Sequence, residues 1–156
     1  MADIPTLIDE YSTGSQLLRG VMERAKHVDL DARPIEGKWS IREVVCHLAD
    51  SEIIYADRMK RVIVEENPTF FDANPPLFIA ALHCRQRPVD IEMNVVEAIR
   101  AHLLSILLSC DAKDFRRTGV HSLDGPMTLQ TLLERITGHL PHHVAFIAEK
   151  LRRLQA

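Results

Sequence analysis

The chain is poor in cysteine, has no long apolar run and concentrates no charge of one sign, and each absence excludes a class of protein. Its three cysteines, Cys46, Cys84 and Cys110, are odd in number and stand in no CxxC spacing. They leave no disulfide framework and predict reduced thiols in a cytoplasmic protein. No run approaches the 18 or so apolar residues of a membrane span. The opening "MADIPTLIDEYS" is acidic and lacks the basic region of a secretion signal. A net charge of −3 argues against nucleic acid as the main partner, because that role needs a concentrated basic face. Sustained two-residue alternation is missing, so strands are not expected. There is no internal repeat and no low-complexity segment. What remains is 46% hydrophobic and 26% charged over 156 residues. That is a globular composition, read as one domain over 1–156 with one substantial core.

Helical periodicity appears four times. The first segment runs from about Pro5 to Lys26, with Leu7, Tyr11, Leu18, Val21, Met22 and Ala25 on one face. The second opens in "GKWSIREVV": Ser40 and Glu43 form a capping box, and Trp39 can staple onto Val44. Its apolar stripe reaches about Glu65. The third is predicted from Asp90, as its cap, to Cys110, and the fourth from Thr128 to about Leu154. Four helices with one apolar face each predict an all-α four-helix bundle. The connection from Glu66 to Val89 carries Pro68, Pro75, Pro76 and Pro88, which discourage helix through much of it. Fully extended it reaches about 80 Å, against about 39 Å for a 26-residue helix. It is long enough to return along the whole bundle, so helices two and three can run parallel. A connection this long is often functional.

"GHLPHHVAFI" places His139, His142 and His143 within five positions. The apolar stripe of the fourth segment steps through Leu129, Leu133, Ile136, Leu140, His143, Ile147 and Leu151, so His143 occupies a core position. His139, four residues earlier, shares its side of the helix. His142 falls in line with Arg135 and Glu149 on the polar face. Two inward imidazoles among Leu and Ile both need polar partners, and one metal ion satisfies both; i, i+4 is a chelating spacing. A third ligand would come from elsewhere. His47 flanks the stripe of the second segment, His102 is a weaker candidate from the third, and His83 and His121 sit in connections.

"GKWSIREVVCHLADSE" and "TLQTLLERITGHLPHHVAFI", with the "TGVHSLDGPMTL" between bundle and last helix, resemble the DinB-like (YfiT-like) family of bacterial metalloproteins. The resemblance covers nearly the whole chain. It implies a four-helix bundle with the long crossover between helices two and three, a homodimer, and one divalent transition metal, zinc or nickel foremost. Carried over residue by residue, the ligands fall on His47, His139 and His143. Pro141, between two of them, is no required part of that pattern and predicts a kink.

Three histidines leave a coordination position open, the arrangement of catalytic rather than structural zinc. Leu140 stands where a His-Glu-x-x-His protease carries its general base, which disfavours protease chemistry of that type. Glu43 reads as the capping partner, Cys46 as a small buried residue, and Asp50 and Glu52 as solvated. Two functions stay open. One is a metal-dependent enzyme acting on a small molecule, either a hydrolase or a transferase using a low-molecular-weight thiol. The other is a non-catalytic metal- or ligand-binding bundle, as a stress-related protein would be.

Overall fold

The computed structural model describes residues 3–156. Four long helices form the bundle: α1 (Ile4–Glu23), α2 (Ile41–Val64), α4 (Val89–Leu107) and α5 (Leu129–Leu154). The starts of α1, α2 and α5 are set by side chains that take up free backbone N–H groups of the first turn. Asp3 accepts from Thr6 N–H, and Thr128 accepts from Thr131 N–H at 3.0 Å. Ser40 and Glu43 form the reciprocal capping box expected of α2. The third helix differs from expectation at both ends. Pro88 precedes its first residue, Asp90 lies inside its first turn rather than at the cap, and the helix ends at Leu107. There the Asp90 and Glu92 charges still favour the helix N-terminus. The helix α5 runs unbroken through Pro141.

Two apolar clusters show how the helices run. One joins Leu7 of α1, Met59 and Val62 of α2, Leu103 and Leu107 of α4, and Leu129 and Leu133 of α5. The other joins Leu18 and Val21, Val44 and Leu48, Val96, and Ile147 and Leu151. The starts of α1 and α5 therefore lie with the ends of α2 and α4. The helices α2 and α4 are parallel neighbours; α2 also packs against α5, α4 against α1, and α1 against α5, which closes the ring. This parallel pairing is what the long connection makes possible.

That connection is more ordered than its prolines suggested. After β1 (Thr69–Phe70), Asn74 caps a short helix α3 (Pro75–Ala81), in which Pro75 and Pro76 occupy the first turn. Proline is tolerated there because no N–H is required. A 3-10 turn at Cys84–Gln86 leads into α4. The expectation of no strands is corrected by a small sheet. Strand β2 (Thr118–His121) pairs in parallel with β1 and antiparallel with β3 (Gly125–Thr128). Strands of two and four residues are too short to show alternation, and the hairpin turn rests on Gly125 at φ 76°. Pairing of β1 with β2 fastens the crossover to the hairpin that precedes α5.

Between the two apolar clusters the bundle carries a buried ion pair. Arg100 is 2% exposed and its Nε donates to Glu52 Oε1 at 2.7 Å. Further Arg100 donors reach the carbonyls of Tyr11 (3.0 Å) and Ile136 (3.1 Å), and Tyr11 Oη donates to Glu52 Oε2 at 3.4 Å. Glu52 is 1% exposed, which corrects the reading of a solvated carboxylate. Asp50 is likewise engaged, by Arg87 at 2.8 Å. Arg100, at a core position of α4, is what buries Glu52, and Arg87, in the connection ahead of α4, engages Asp50; helix-by-helix periodicity shows neither partner.

Candidate metal centre and cleft

The cluster expected from the sequence is assembled. His47 projects from α2, and His139 and His143 from successive turns of α5. One potential ligand atom from each lies within 4.8 Å of the others. The ring centroids stand 4.5 to 4.8 Å apart, and His47 Nε2 is 2.9 Å from His139 Nε2. His142 is exposed on the polar face, as its helical position predicted. His102 is exposed beside Lys60, and His83 takes a left-handed conformation ahead of the 3-10 turn; neither joins the cluster.

Burial sets the charge state of the three rings. It lowers the pKa of His47, that of His139 to about 3 and that of His143 to about 4, with neighbouring imidazoles adding to the last two. The Arg100 guanidinium pushes His139 in the same direction. All three are therefore neutral near pH 7, each with a ring nitrogen free to donate a lone pair. His139 Nδ1 and His143 Nδ1 are buried and have no hydrogen-bond partner in the protein. Leaving such a group unpaired costs about 1–3 kcal/mol. Three neutral nitrogen donors at this separation, two of them carrying an unpaired nitrogen, fit a divalent transition ion of the zinc or nickel kind. Trp39 packs against His47, with ring centroids 5.1 Å apart, and closes one side of the cluster.

His47 and His139 face a cleft of about 210 Å³ between α2, the crossover and the β2–β3 hairpin. His121, at the end of β2, is 5% exposed and lines the same cleft. Its Nδ1 accepts from the backbone N–H groups of Leu123 (3.3 Å) and Asp124 (3.2 Å). Those two bonds place the proton of the neutral ring on Nε2, which points toward Asp72 at 3.8 Å. From the sequence His121 was one of several connection histidines; the hairpin that brings it to the cleft was not foreseen. Arg58 and Arg135 also line this cleft and were missed. Arg58 continues the α2 row that begins at His47, whereas Arg135 of α5 read only as a member of the polar row with His142. Cys46 is fully buried, as expected, and its thiol is pushed up to about 12 by desolvation. His143 instead lines a second cavity of about 340 Å³ with Trp39, Phe146 and Lys150.

Fold and cluster together define a four-helix-bundle protein with an inward three-histidine site beside an open cleft. The profile of the DinB superfamily matches residues 10–147, and the chain belongs to that superfamily. A protein of Oceanobacillus iheyensis named "Putative metal-dependent hydrolase" is 28% identical over 146 residues, covering 94% of this chain and 84% of its own. A Bacillus cereus protein of the same name is 28% identical over 131 residues, 81% of this chain and 75% of its own. The solved structure described as "YfiT from Bacillus subtilis is a probable metal-dependent hydrolase with an unusual four-helix bundle topology" superposes with a TM-score of 0.90 at 23% identity, over 97% of this chain and 87% of that one. That likeness shows the shared fold. No helix among the described residues is long and apolar enough to cross a membrane.

Proposed function

We propose that the chain holds one divalent transition metal ion through His47, His139 and His143 and acts as a metal-dependent hydrolase on a small molecule bound in the adjoining cleft. The observation that carries this reading is the convergence of three neutral imidazoles, two with a buried unpaired nitrogen, of which His47 and His139 line an open cleft. The names of its relatives agree with it. When bound, such an ion would supply Lewis acidity and a water of lowered pKa.

The chain's own residues do the rest. Trp39, packed on the His47 ring, holds that imidazole from one side. His121, held with its Nε2–H toward the cleft, offers a proton or a hydrogen bond to a departing group. The backbone N–H groups of Leu123 and Asp124 orient the ring, and Asp72 lies 3.8 Å from that nitrogen. No glutamate stands beside His139 to serve as a protease base, since Leu140 is buried in the core.

The test is metal content. Purified without chelator, the protein is expected to hold about one divalent ion per chain by plasma emission analysis. His47→Ala, His139→Ala or His143→Ala each lowers affinity greatly, whereas His142→Ala leaves it unchanged. Retention of metal by all three alanine variants would overturn the assignment. Cobalt loading separates the remaining branch. A near-ultraviolet sulfur-to-cobalt band on adding a low-molecular-weight thiol, in a chain with Cys46, Cys84 and Cys110 replaced by Ala, selects thiol transfer. No band sets thiol transfer aside and leaves hydrolysis by bound water or metal binding without catalysis.

A further inference from the structure

We propose that Arg58 recognises an anionic group, carboxylate or phosphate, on the molecule that occupies the cleft, and holds it at the end remote from the histidine cluster. This deepens the hydrolase reading and rests on it for the position of the reacting group.

The placement comes from α2. His47, Ser51, Ile54, Tyr55 and Arg58 follow one another at steps of one to four residues, and all line the cleft. The cleft therefore extends along this helix from the cluster to Arg58. Eleven residues of helix separate His47 from Arg58, about 16 Å of axial rise. With both side chains leaning into the cleft, the span between a cluster-bound group and the guanidinium is on the order of 10 Å.

The charges in the cleft decide what Arg58 is free to do. Two carboxylates on its wall already have cationic partners: Asp50 is bonded to Arg87, and Asp124 to Arg135 at 2.6 Å, with the Arg58 charge also helping to hold the Asp124 carboxyl below its usual range. Asp72 is exposed and lies 3.8 Å from the neutral His121 ring. Arg58 is 6% exposed and makes no ion pair among the described residues. Its guanidinium lies over the rings of Tyr55 (5.3 Å) and Phe70 (5.5 Å), and one Nη2–H is given to the Phe71 carbonyl at 2.5 Å. Stacking and that bond fix the plane of the fork and leave its other donors unused. A buried guanidinium held flat and without a carboxylate is preorganised for a planar anion, which it can grip through two parallel N–H bonds.

The experiment uses the zinc-loaded full chain and a set of linear probes with a hydroxamate at one end. The other end is a carboxylate, a phosphonate or a neutral primary amide, with four to eight methylenes between. Binding is read by isothermal titration calorimetry. The expected result is that the carboxylate or the phosphonate probe of best length binds at least tenfold tighter than its amide counterpart. Which of the two binds tighter identifies the anion. Arg58→Met removes the preference and leaves amide-probe affinity and zinc content unchanged. Equal binding of charged and neutral probes by the native chain overturns the proposal, as does a preference that survives Arg58→Met. Should that variant fail to fold by circular dichroism, Arg58→Lys keeps the charge but not the fork. It is expected to reduce the preference several-fold, and an undiminished preference overturns the proposal. If zinc adds nothing to probe binding while the Arg58-dependent preference persists, the metal reading falls and the anion site stands.

Discussion

Gly14 and Gly20 lie two turns apart in α1, and alanine in their places is expected to change stability in opposite directions. At Gly20 an added Cβ meets nothing within 4 Å, so Gly20→Ala gains only helix propensity, about 0.5–1 kcal/mol. At Gly14 the same Cβ would overlap Arg100 Nη1. A flexible side chain would simply move aside, but this one is 2% exposed and is tied to Glu52 and to the carbonyls of Tyr11 and Ile136. Nη1 is the atom bonded to Tyr11 O, so yielding means losing that bond. A hydrogen bond from a charged group contributes about 1.5–3 kcal/mol. Less the propensity gain, Gly14→Ala should destabilise by about 1–2 kcal/mol. Urea titrations of the two variants at pH 7.5, followed by circular dichroism, measure both. If Gly14→Ala proves as stable as Gly20→Ala, the arginine network is not rigid, and the account of the bundle's middle layer fails.

Three further outcomes are expected. Ser40→Ala should cost about 1 kcal/mol through the lost α2 cap, without changing metal stoichiometry; equal denaturant midpoints would contradict the capping geometry. The metal-free chain should weaken as pH falls from 6.5 toward 4. His139 and His143 have folded pKa values of about 3 and about 4, below the 6.5 of an open histidine, so the unfolded chain binds more protons in that window. Stability from these groups is complete above 6.5 and is lost as pH drops, and His139→Gln should flatten the difference between urea midpoints at pH 7.5 and 5.0. Glu52→Ala should destabilise by about 3–5 kcal/mol, because it strands Arg100 as a buried unpaired charge; a loss below about 1 kcal/mol would show that water reaches the pair.

The parts legible in the sequence are those in which a residue's role is decided by its own helix. The Ser40–Glu43 box, the start of the last helix at about Thr128, the inward faces of His139 and His143 and the outward face of His142 all follow from spacing and turn residues alone. The third member, His47, lay at the flank of its stripe, where periodicity leaves the direction open and only the family resemblance chose it. What was not legible depends on partners distant in sequence. Glu52 reads as an ordinary helical carboxylate until Arg100, 48 residues away, is packed against it. Gly14 reads as a weak point in α1 until the same arginine claims the space. Strand β1 has two residues, and nothing local announces that they pair with Thr118–His121. His121 and Arg58 reach the cleft only because that pairing folds the crossover over α2.

The polar layer lies where the two apolar clusters are interrupted, and that position bears on function. Gly14, Glu52, Arg100 and His139 occur at the boundary on α1, α2, α4 and α5, with Leu18, Leu48, Val96 and Leu140 on one side and Leu7, Met59, Leu103 and Ile136 on the other. Apolar residues of similar volume commonly serve a bundle core as well as a buried ion pair or better. The layer also holds the unpartnered Nδ1 of His139, and that of His143 lies one turn further along α5. For the empty fold this arrangement is a cost, and a ligand that satisfies those nitrogens offsets it. Anything that binds the folded chain and not the unfolded one adds RT ln(1 + [L]/Kd), about 2.7 kcal/mol at a hundredfold excess over Kd. Zinc or nickel should therefore raise the melting temperature of the native chain and leave that of His143→Ala unmoved. An equal shift in both would mean that the ion binds elsewhere, and that the histidine layer is a structural defect rather than a site.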